Sequence, residues 1–127
     1  MKKIINTSGA PSPIGPYSQA VQAGNAVFLS GQIAIEPSTG ELVKGSLTEE
    51  TRKVMQNIEA ILNEVNLGFD SIVKTGIFLT DMAFFAEVNE EYSRWFNSDF
   101  PARETVQVAG LPKGVRVEIS MIAIKEP

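Results

Sequence analysis

Residues 46–68 carry the pattern of a single amphipathic helix with well-defined ends. Ser46 and Glu49 stand at capping-box spacing, and Thr48 is a competing N-cap. Gly68 follows the last apolar position and predicts the C-terminal end of the helix. Apolar side chains recur every three or four residues and predict one buried stripe of Val54, Ile58, Ile61, Leu62 and Val65. A helix with one apolar face needs a second layer to pack on, so the flanking segments decide the fold class.

Strand patterns stand on both sides of this helix. Two apolar runs flank Gly24-Asn25, a dipeptide that favours a tight hairpin turn. Residues 70–81 are β-branched and aromatic and predict a strand. Residues 83–96 predict a second helix, opened by Thr80 or Asp81. Its buried stripe is expected to contain Phe84, Phe85, Val88, Tyr92, Trp95 and Phe96.

The last two strands are predicted at residues 103–109 and 115–125, joined by a loop rich in Gly and Pro. Their proximity along the chain predicts a second hairpin, with Arg103 and Glu118 on neighbouring strands. The order is then β-β-α-β-α-β-β. It predicts a single α+β domain over residues 1–127, with two helices on one face of a mixed sheet.

The alternation of side chains in the last strand predicts that both faces of the sheet are partly apolar. Val117, Ile119 and Met121 point one way, whereas Glu118 and Ile122 point the other. Two helices can cover only one face, so something else is expected to cover the second. A second copy of the chain is the economical solution, and the sequence therefore predicts a homo-oligomer.

The composition excludes several classes of function. The chain contains no Cys and no His, which excludes disulfides, thiolate or imidazole zinc sites, and His- or Cys-dependent catalytic triads. A net charge of -4 without a basic stripe argues against nucleic-acid binding. No apolar run approaches membrane-spanning length, and the first twelve residues lack a signal-peptide pattern. A cytoplasmic location is expected.

Arg103 and Glu118 are the leading candidates for chemistry. The planar guanidinium of Arg103 suits two-pronged binding of a carboxylate, and the alternative is a surface ion pair with Glu104 or Asp99. A carboxylate in a strand interior, such as Glu118, needs a partner if it is buried. That partner could be Arg116 or Arg103 in a structural salt bridge, or Glu118 could act as a general base or position a water.

Further candidates lie in short motifs. Tyr17 follows a proline turn and either donates a hydroxyl to a site or plugs the edge of the core. Gly31, next to Ser30, stands within a strand, where glycine often marks a bulge or a close backbone approach. Asn89 lies near the apolar stripe of the second helix. There is no phosphate-binding loop, dinucleotide fingerprint or clustered metal carboxylates in the sequence.

Six motifs in a fixed order give the chain a family resemblance. They are "GPYSQA" (15–20), "SGQI" (30–33), "N-E-E-Y" (89–92), "PAR" (101–103), "LPKG" (111–114) and "VEI" (117–119). Together they resemble the RidA family, also called YjgF/YER057c/UK114, over essentially the whole chain. The resemblance implies a chorismate-mutase-like α+β fold and a homotrimer with ligand clefts between subunits. It also implies a cofactor-free deaminase that converts 2-iminobutanoate and 2-iminopropanoate to 2-oxo acids and ammonia.

The resemblance also implies roles for individual residues. Arg103 falls on the carboxylate-binding arginine, and Glu118 on the carboxylate that positions or activates water. Tyr17 would help to fix the imine as a catalytic residue. Substrate-binding positions would be Ser30, Gly31, Asn89, Arg103, Glu104 and Thr105. Many members have "PARSC" where this chain has "PARET", so Thr105 serves if that position contributes its backbone N–H, and Glu104 adds a negative charge near an anion site.

Three other functions stay open on the sequence alone. The chain could be a non-catalytic trimer of the same family that binds 2-oxo acids or has a regulatory role. It could be a ribonuclease or translation inhibitor, against which its acidic charge weighs. Chorismate mutase shares the architecture but not these motifs, and fold alone does not decide function.

Overall fold

A computed structural model describes residues 1–126, which form one mixed sheet with two α-helices packed on one face. The strands are β1 (Lys2–Ile5), β2 (Ala20–Ala23), β3 (Ala26–Gln32), β4 (Ile72–Leu79), β5 (Ala102–Gln107) and β6 (Val117–Ile124). The helices are α1 (Leu47–Glu64) and α2 (Phe85–Ser93). The predicted α+β class, with two helices on a mixed sheet, is confirmed.

The spatial order of the strands is β1-β2-β3-β6-β4-β5. β4 and β5 are parallel, and the other neighbouring pairs are antiparallel. The predicted hairpin of the last two strands is therefore wrong, because β4 lies between β5 and β6. The reason is that β4, α2 and β5 form a βαβ unit, in which a crossover helix returns the chain parallel to the first strand. β6 then enters on the other side of β4.

The N-terminal sheet edge adds a strand that the sequence pattern did not predict. β1 pairs with β2 over four residues and is exposed except at Ile5. It is too short and too polar for an alternation signal, because "KKII" exposes both lysines. The β2–β3 hairpin around Gly24-Asn25 is confirmed, and Gly24 has the positive φ of 61° that its turn requires.

The start of α1 is as predicted, whereas its end is not. The Ser46 side chain accepts a hydrogen bond from the N–H of Glu49, and the Glu49 carboxylate accepts one from the N–H of Ser46. The helix ends before Gly68, in a Schellman turn around Asn66, whose φ is 59°. The Leu67 N–H donates to the carbonyl of Leu62 at 2.9 Å. Asparagine tolerates the left-handed conformation, so glycine was not needed as the terminator.

The second helix begins with a 3₁₀ turn, Met82–Phe84, capped by Asp81, whose carboxylate accepts from the N–H of Ala83 at 2.8 Å. α2 itself ends at Ser93, three residues before the predicted end. Val88 and Tyr92 are buried against the core, but Phe85 is 38% exposed, so its predicted burial is wrong. The exposed ring of Phe85 instead lies beside Arg103.

The core fills the space between the helices and one face of the sheet. The predicted α1 stripe is buried throughout, as are Val117, Ile119, Met121 and Ala123 of β6. The opposite face stays open and partly apolar, with Phe28 46%, Val106 40% and Ile124 37% exposed. The two-sided apolar character predicted for the sheet is confirmed, while its covering by a second copy stays a prediction.

None of the helices in residues 1–126 is long and apolar enough to cross a bilayer. The cytoplasmic location expected from the sequence stays a prediction.

Candidate active site

A cleft of about 380 Å³ opens on the uncovered side of the sheet, between β3, β6 and the loop that precedes β2. Tyr17, Ser30, Gly31 and Glu118 all line it, so four of the predicted site residues meet there. Its remaining walls are mostly apolar and include Ile14, Ile33 and Pro112. We call this the Glu118 cleft, after the ionisable carboxylate at its floor.

Gly31 allows the Glu118 carboxylate to lie directly against the β3 backbone. A Cβ atom at position 31 would overlap Glu118 Oε2 and would lie 2.8 Å from Cδ, closer than real side chains approach, and 3.0 Å from Cγ. The pairing of β3 with β6 shifts register between Leu29 and Gln32, as expected for a bulge at this point. The interpretation of Gly31 as a bulge and close-approach residue is confirmed.

Glu118 has no cation partner among residues 1–126. Arg116, one predicted partner, instead binds Glu50 of α1, with Nε 2.8 Å from Oε1. Arg103, the other predicted partner, binds Asn89. Burial without a compensating charge raises the pKa of the Glu118 carboxyl above its ordinary value of 4.5. A half-buried carboxylate of raised pKa is suited to accepting a proton from a bound water.

Gln19 shapes the wall of the Glu118 cleft and was missed by the sequence reasoning. Its buried amide donates to the carbonyls of Thr7 (3.0 Å), Ala10 (3.2 Å) and Pro11 (2.9 Å). Its Oε1 accepts from the N–H of Thr7 at 2.7 Å. This one side chain therefore holds the Pro-rich loop against β2. The only sequence signal was its place in "GPYSQA". The four hydrogen bonds of its amide depend on the conformation of the loop, which the sequence pattern does not give.

Ser30 and Tyr17 differ in how firmly the fold holds them. The Ser30 hydroxyl donates to the carbonyl of Ser18 at 2.5 Å, and the Ser30 N–H donates to the carbonyl of Gln19 at 2.9 Å. Ser30 is thus tied into the scaffold of the cleft. Tyr17 is 50% exposed, and its hydroxyl accepts only a long 3.5 Å bond from the N–H of Ile14. Its hydroxyl is therefore available to a ligand.

Arg103 lies in a second cleft, of about 290 Å³, between β5 and α2. We call it the Arg103 cleft; Asn89, Tyr92, Phe100 and Pro101 also line it. Arg103 Nη1 donates to Asn89 Oδ1 at 2.7 Å, and none of the ion pairs within residues 1–126 involves Arg103. A guanidinium with four unused N–H donors and an uncompensated charge suits an anionic ligand.

Thr105 presents two different groups near this cleft. The Val108 N–H points towards β4, since it donates to the carbonyl of Leu79 at 2.8 Å. Successive N–H groups of a strand point to alternate sides, so the N–H of Thr105, three residues earlier, points to the free edge of β5. The Thr105 hydroxyl is buried and has no hydrogen-bond partner within residues 1–126. The backbone donor suggested by the sequence is thus unused by β1–β6, at the free edge of the sheet.

Glu104 lies outside both clefts. It alternates with Arg103 and Thr105 along β5, so it projects from the opposite face of the sheet. Its carboxylate lies 3.2 Å from Lys74 Nζ in an exposed ion pair. A direct role for Glu104 in substrate binding gains no support from this position.

The two clefts open on opposite faces of the sheet. Arg103 pairs with Thr75 of β4, whose side chain lies in the helix-covered core, whereas Glu118 pairs with Phe78 three residues further along β4. Successive side chains of a strand point to opposite faces of the sheet, so Thr75 and Phe78, three residues apart, lie on opposite faces. A single chain therefore does not bring Arg103 and Glu118 together.

No group of three or more metal-ligating carboxylates, within the part of the chain described, could hold a metal ion. Arg103 has a charge and free donors suited to an anion, and Glu118 has a carboxylate suited to proton transfer.

A family model described as Endoribonuclease L-PSP matches residues 7–125. The human 2-iminobutanoate/2-iminopropanoate deaminase is 45% identical over 127 residues, covering 100% of this chain and 93% of the human protein. A crystal structure of the Rid family protein YyfA from Yersinia pestis matches with a TM-score of 0.95 at 46% identity, over 98% of this chain and 99% of that one. The crystal structure of E. coli TdcF with bound serine matches with a TM-score of 0.93 at 42% identity, over 98% and 99%. These full-length similarities agree with the ordered motifs, and the chain belongs to the Endoribonuclease L-PSP family, the family also called RidA or YjgF.

Proposed function

We propose that this protein is a deaminase that hydrolyses reactive 2-imino acids, with 2-iminobutanoate and 2-iminopropanoate as substrates, to 2-oxo acids and ammonia. The observation that carries the proposal is the half-buried Glu118 carboxylate, held against Gly31 without a cation. The full-length similarity to deaminases of this specificity supports it.

The reaction begins with binding of the substrate carboxylate. Arg103 takes it through a charge-assisted pair of hydrogen bonds, and the Thr105 N–H at the edge of β5 adds a third donor. Tyr17 and the backbone around Ser30 and Gly31 hold the plane of the imine. Fixing both ends of a small substrate removes most of the entropic cost of the following step.

Water attack is the second step. A water hydrogen-bonded to Glu118 adds to C2 of the protonated imine, the C=N π bond breaks towards nitrogen, and Glu118 takes the released proton. The carbinolamine that forms holds both a hydroxyl and an amino group on C2. Glu118 returns its proton to the amino nitrogen. Ammonia leaves as the C–O bond becomes a carbonyl and the hydroxyl proton is lost to solvent.

The active assembly in this proposal is a homotrimer with three sites between subunits. Each site combines the Glu118 cleft of one subunit with the Arg103 cleft of its neighbour. The partly apolar open face supports such an assembly, since large exposed patches mark interaction surfaces. The opposite-facing clefts support it too, because a cyclic arrangement can bring unlike surfaces of neighbouring copies together.

Two variants test the catalytic roles. Arg103→Ala is expected to lower kcat/KM by about a hundredfold or more, the worth of a charged pair of hydrogen bonds. Glu118→Gln is expected to keep ligand binding and lower kcat by about 10² to 10⁴, as for loss of a general base. A threonine dehydratase would generate 2-iminobutanoate, and semicarbazide would compete for it. Wild-type turnover by Arg103→Ala would refute the mechanism.

A mixing experiment tests the shared site. The two variants are unfolded, mixed in equal amounts and refolded together. Each site then has an even chance of an intact Arg103 and an even chance of an intact Glu118, so about a quarter of wild-type activity should return. Activity no higher than that of the separate variants would place both residues within one subunit.

The alternatives predict other results. A non-catalytic binding protein would bind 2-oxobutanoate, yet wild type would not alter the semicarbazone yield. A ribonuclease would cleave RNA in a way that survives Arg103→Ala. The net charge of -4 gives no support to that activity.

A further inference from the structure

We propose that Phe85 and Tyr92 are positioning residues that hold Arg103 in place for the substrate carboxylate. The proposal rests on the proposed function, since it assigns a supporting role to residues around the anion-binding group. The two rings and Asn89 form what we call the neutral clamp.

One face of α2 supplies the neutral clamp. Phe85, Asn89 and Tyr92 stand at positions i, i+4 and i+7, which share a helix face. Arg103 Cζ lies 5.7 Å from the ring centroid of Phe85 and 5.2 Å from that of Tyr92, both within cation–π range. Asn89 Oδ1 accepts one N–H at 2.7 Å. The guanidinium is therefore contacted by two rings and one amide.

The buried ring is itself anchored to the strand that pairs with Arg103. The Tyr92 hydroxyl donates to Thr75 Oγ1 at 2.9 Å, and both side chains are buried. Thr75 is the β4 residue directly opposite Arg103 in the parallel ladder. The hydrogen bond to Thr75 therefore fixes the Tyr92 ring relative to the part of the sheet that carries Arg103.

The neutral clamp carries no negative charge, and this property is important for its role. A carboxylate would also order an arginine, but it would cancel the charge that an anionic substrate needs. Aromatic faces and an amide oxygen order the guanidinium without neutralising it. An ordered arginine loses less side-chain entropy on binding, so the clamp should lower KM for the anion and leave the chemical step unchanged.

Phe85 is the best position for a test, because it is 38% exposed and its replacement should not disturb the core. Phe85→Leu keeps apolar bulk but removes the ring, and KM for 2-iminobutanoate should rise about three- to fivefold at constant kcat. Phe85→Trp should restore KM to within about twofold of wild type, since Trp gives the strongest cation–π contact. Binding of 2-oxobutanoate, measured by calorimetry, should weaken by the same factor in Phe85→Leu.

Met82→Leu is the matched control, since Met82 is 43% exposed one turn earlier and its side chain lines neither the Glu118 cleft nor the Arg103 cleft. Its KM should equal that of wild type. An unchanged KM in Phe85→Leu overturns the proposal, and so does a fall in kcat alone or a failure of Phe85→Trp to restore KM. Arg103→Ala distinguishes a failure of the clamp proposal from a failure of the role assigned to Arg103. If Arg103→Ala keeps wild-type activity, the role assigned to Arg103 fails, whereas loss of its activity beside an unaffected Phe85→Leu removes only the clamp. If wild type does not accelerate deamination of 2-iminobutanoate, the proposed function itself fails.

Discussion

Replacing Gly31 with alanine should separate catalysis from folding in this protein. The added Cβ would meet Glu118 Oε2 first, and it would lie 2.8 Å from Cδ and 3.0 Å from Cγ of the same side chain. Gly31 does not have a left-handed backbone, so alanine fits its conformation. The obstruction is the end of a flexible side chain, which can turn away. The carboxylate must then leave its position above β3 while the strand stays in place.

The expected magnitudes follow from these contacts. Turning the Glu118 side chain away costs about 1–3 kcal/mol, as in overpacked sites. Removing a glycine from the unfolded chain returns about 0.4–1 kcal/mol. The net loss of stability should therefore stay below about 2.6 kcal/mol. The loss of kcat should reach at least about tenfold and at most the 10² to 10⁴ expected of a general base.

The assay combines the dehydratase-coupled deamination rate with thermal unfolding followed by circular dichroism. Gly110→Ala is the control, because a Cβ at that position meets nothing within 4 Å. In a Glu118→Ala background, Gly31→Ala should become stabilising by about 0.4–1 kcal/mol, since the obstruction is gone. Wild-type kcat in Gly31→Ala, or the same stability change in both backgrounds, would refute the reasoning.

Four further predictions concern Glu118, Thr105 and Asn66. Because burial raises the pKa of Glu118, kcat/KM should fall on the acid side with a midpoint above 4.5, and Glu118→Gln should abolish this limb. Because the pKa is raised in the folded state, Glu118 stabilises the fold as the neutral acid. This contribution is complete below about pH 4.5, the unfolded value, and is lost as the pH rises through the folded-state pKa. Glu118→Gln, which stays neutral, should therefore raise the melting temperature at pH 7 but not at pH 4. Thr105→Val should not lower the melting temperature, because it removes a buried hydroxyl without a partner, and an unchanged KM would support binding through the backbone N–H. Asn66→Ala should cost about 1 kcal/mol in chemical denaturation because Asn66 has a φ of 59°, whereas Asn66→Gly should not.

Local patterns predicted the parts of the fold that depend on neighbours along the chain. The alternation in β6 gave the buried and open faces correctly, because a strand has a fixed period of two. The capping box at Ser46 was predicted for the same reason, since its partner lies three residues away. The end of α1 was misplaced because both Asn66 and Gly68 can terminate a helix.

The order of the strands in the sheet could not be predicted from such local patterns. A short Gly/Pro loop between β5 and β6 favours a hairpin, yet β4 lies between them because α2 crosses over to set β5 beside β4. This one error changed the interpretation of the site. Arg103 and Glu118 were identified by residue type and motif order, but their placement on opposite faces depends on pairings between distant segments. Gln19 was missed because its partners lie in an irregular loop.

The position of β6 has a consequence for how the chain acquires its structure during synthesis. β6 is the sole link, within residues 1–126, between the β1-β2-β3 ladder and the β4-β5 ladder. The ribosome makes it after the five strands that it joins. The two half-sheets must wait with unpaired edges, which exposes them to aggregation. Pairings between such distant segments also predict slow folding, on a millisecond to second scale. Nascent chains of this protein should therefore be natural clients of chaperones that shield strand edges.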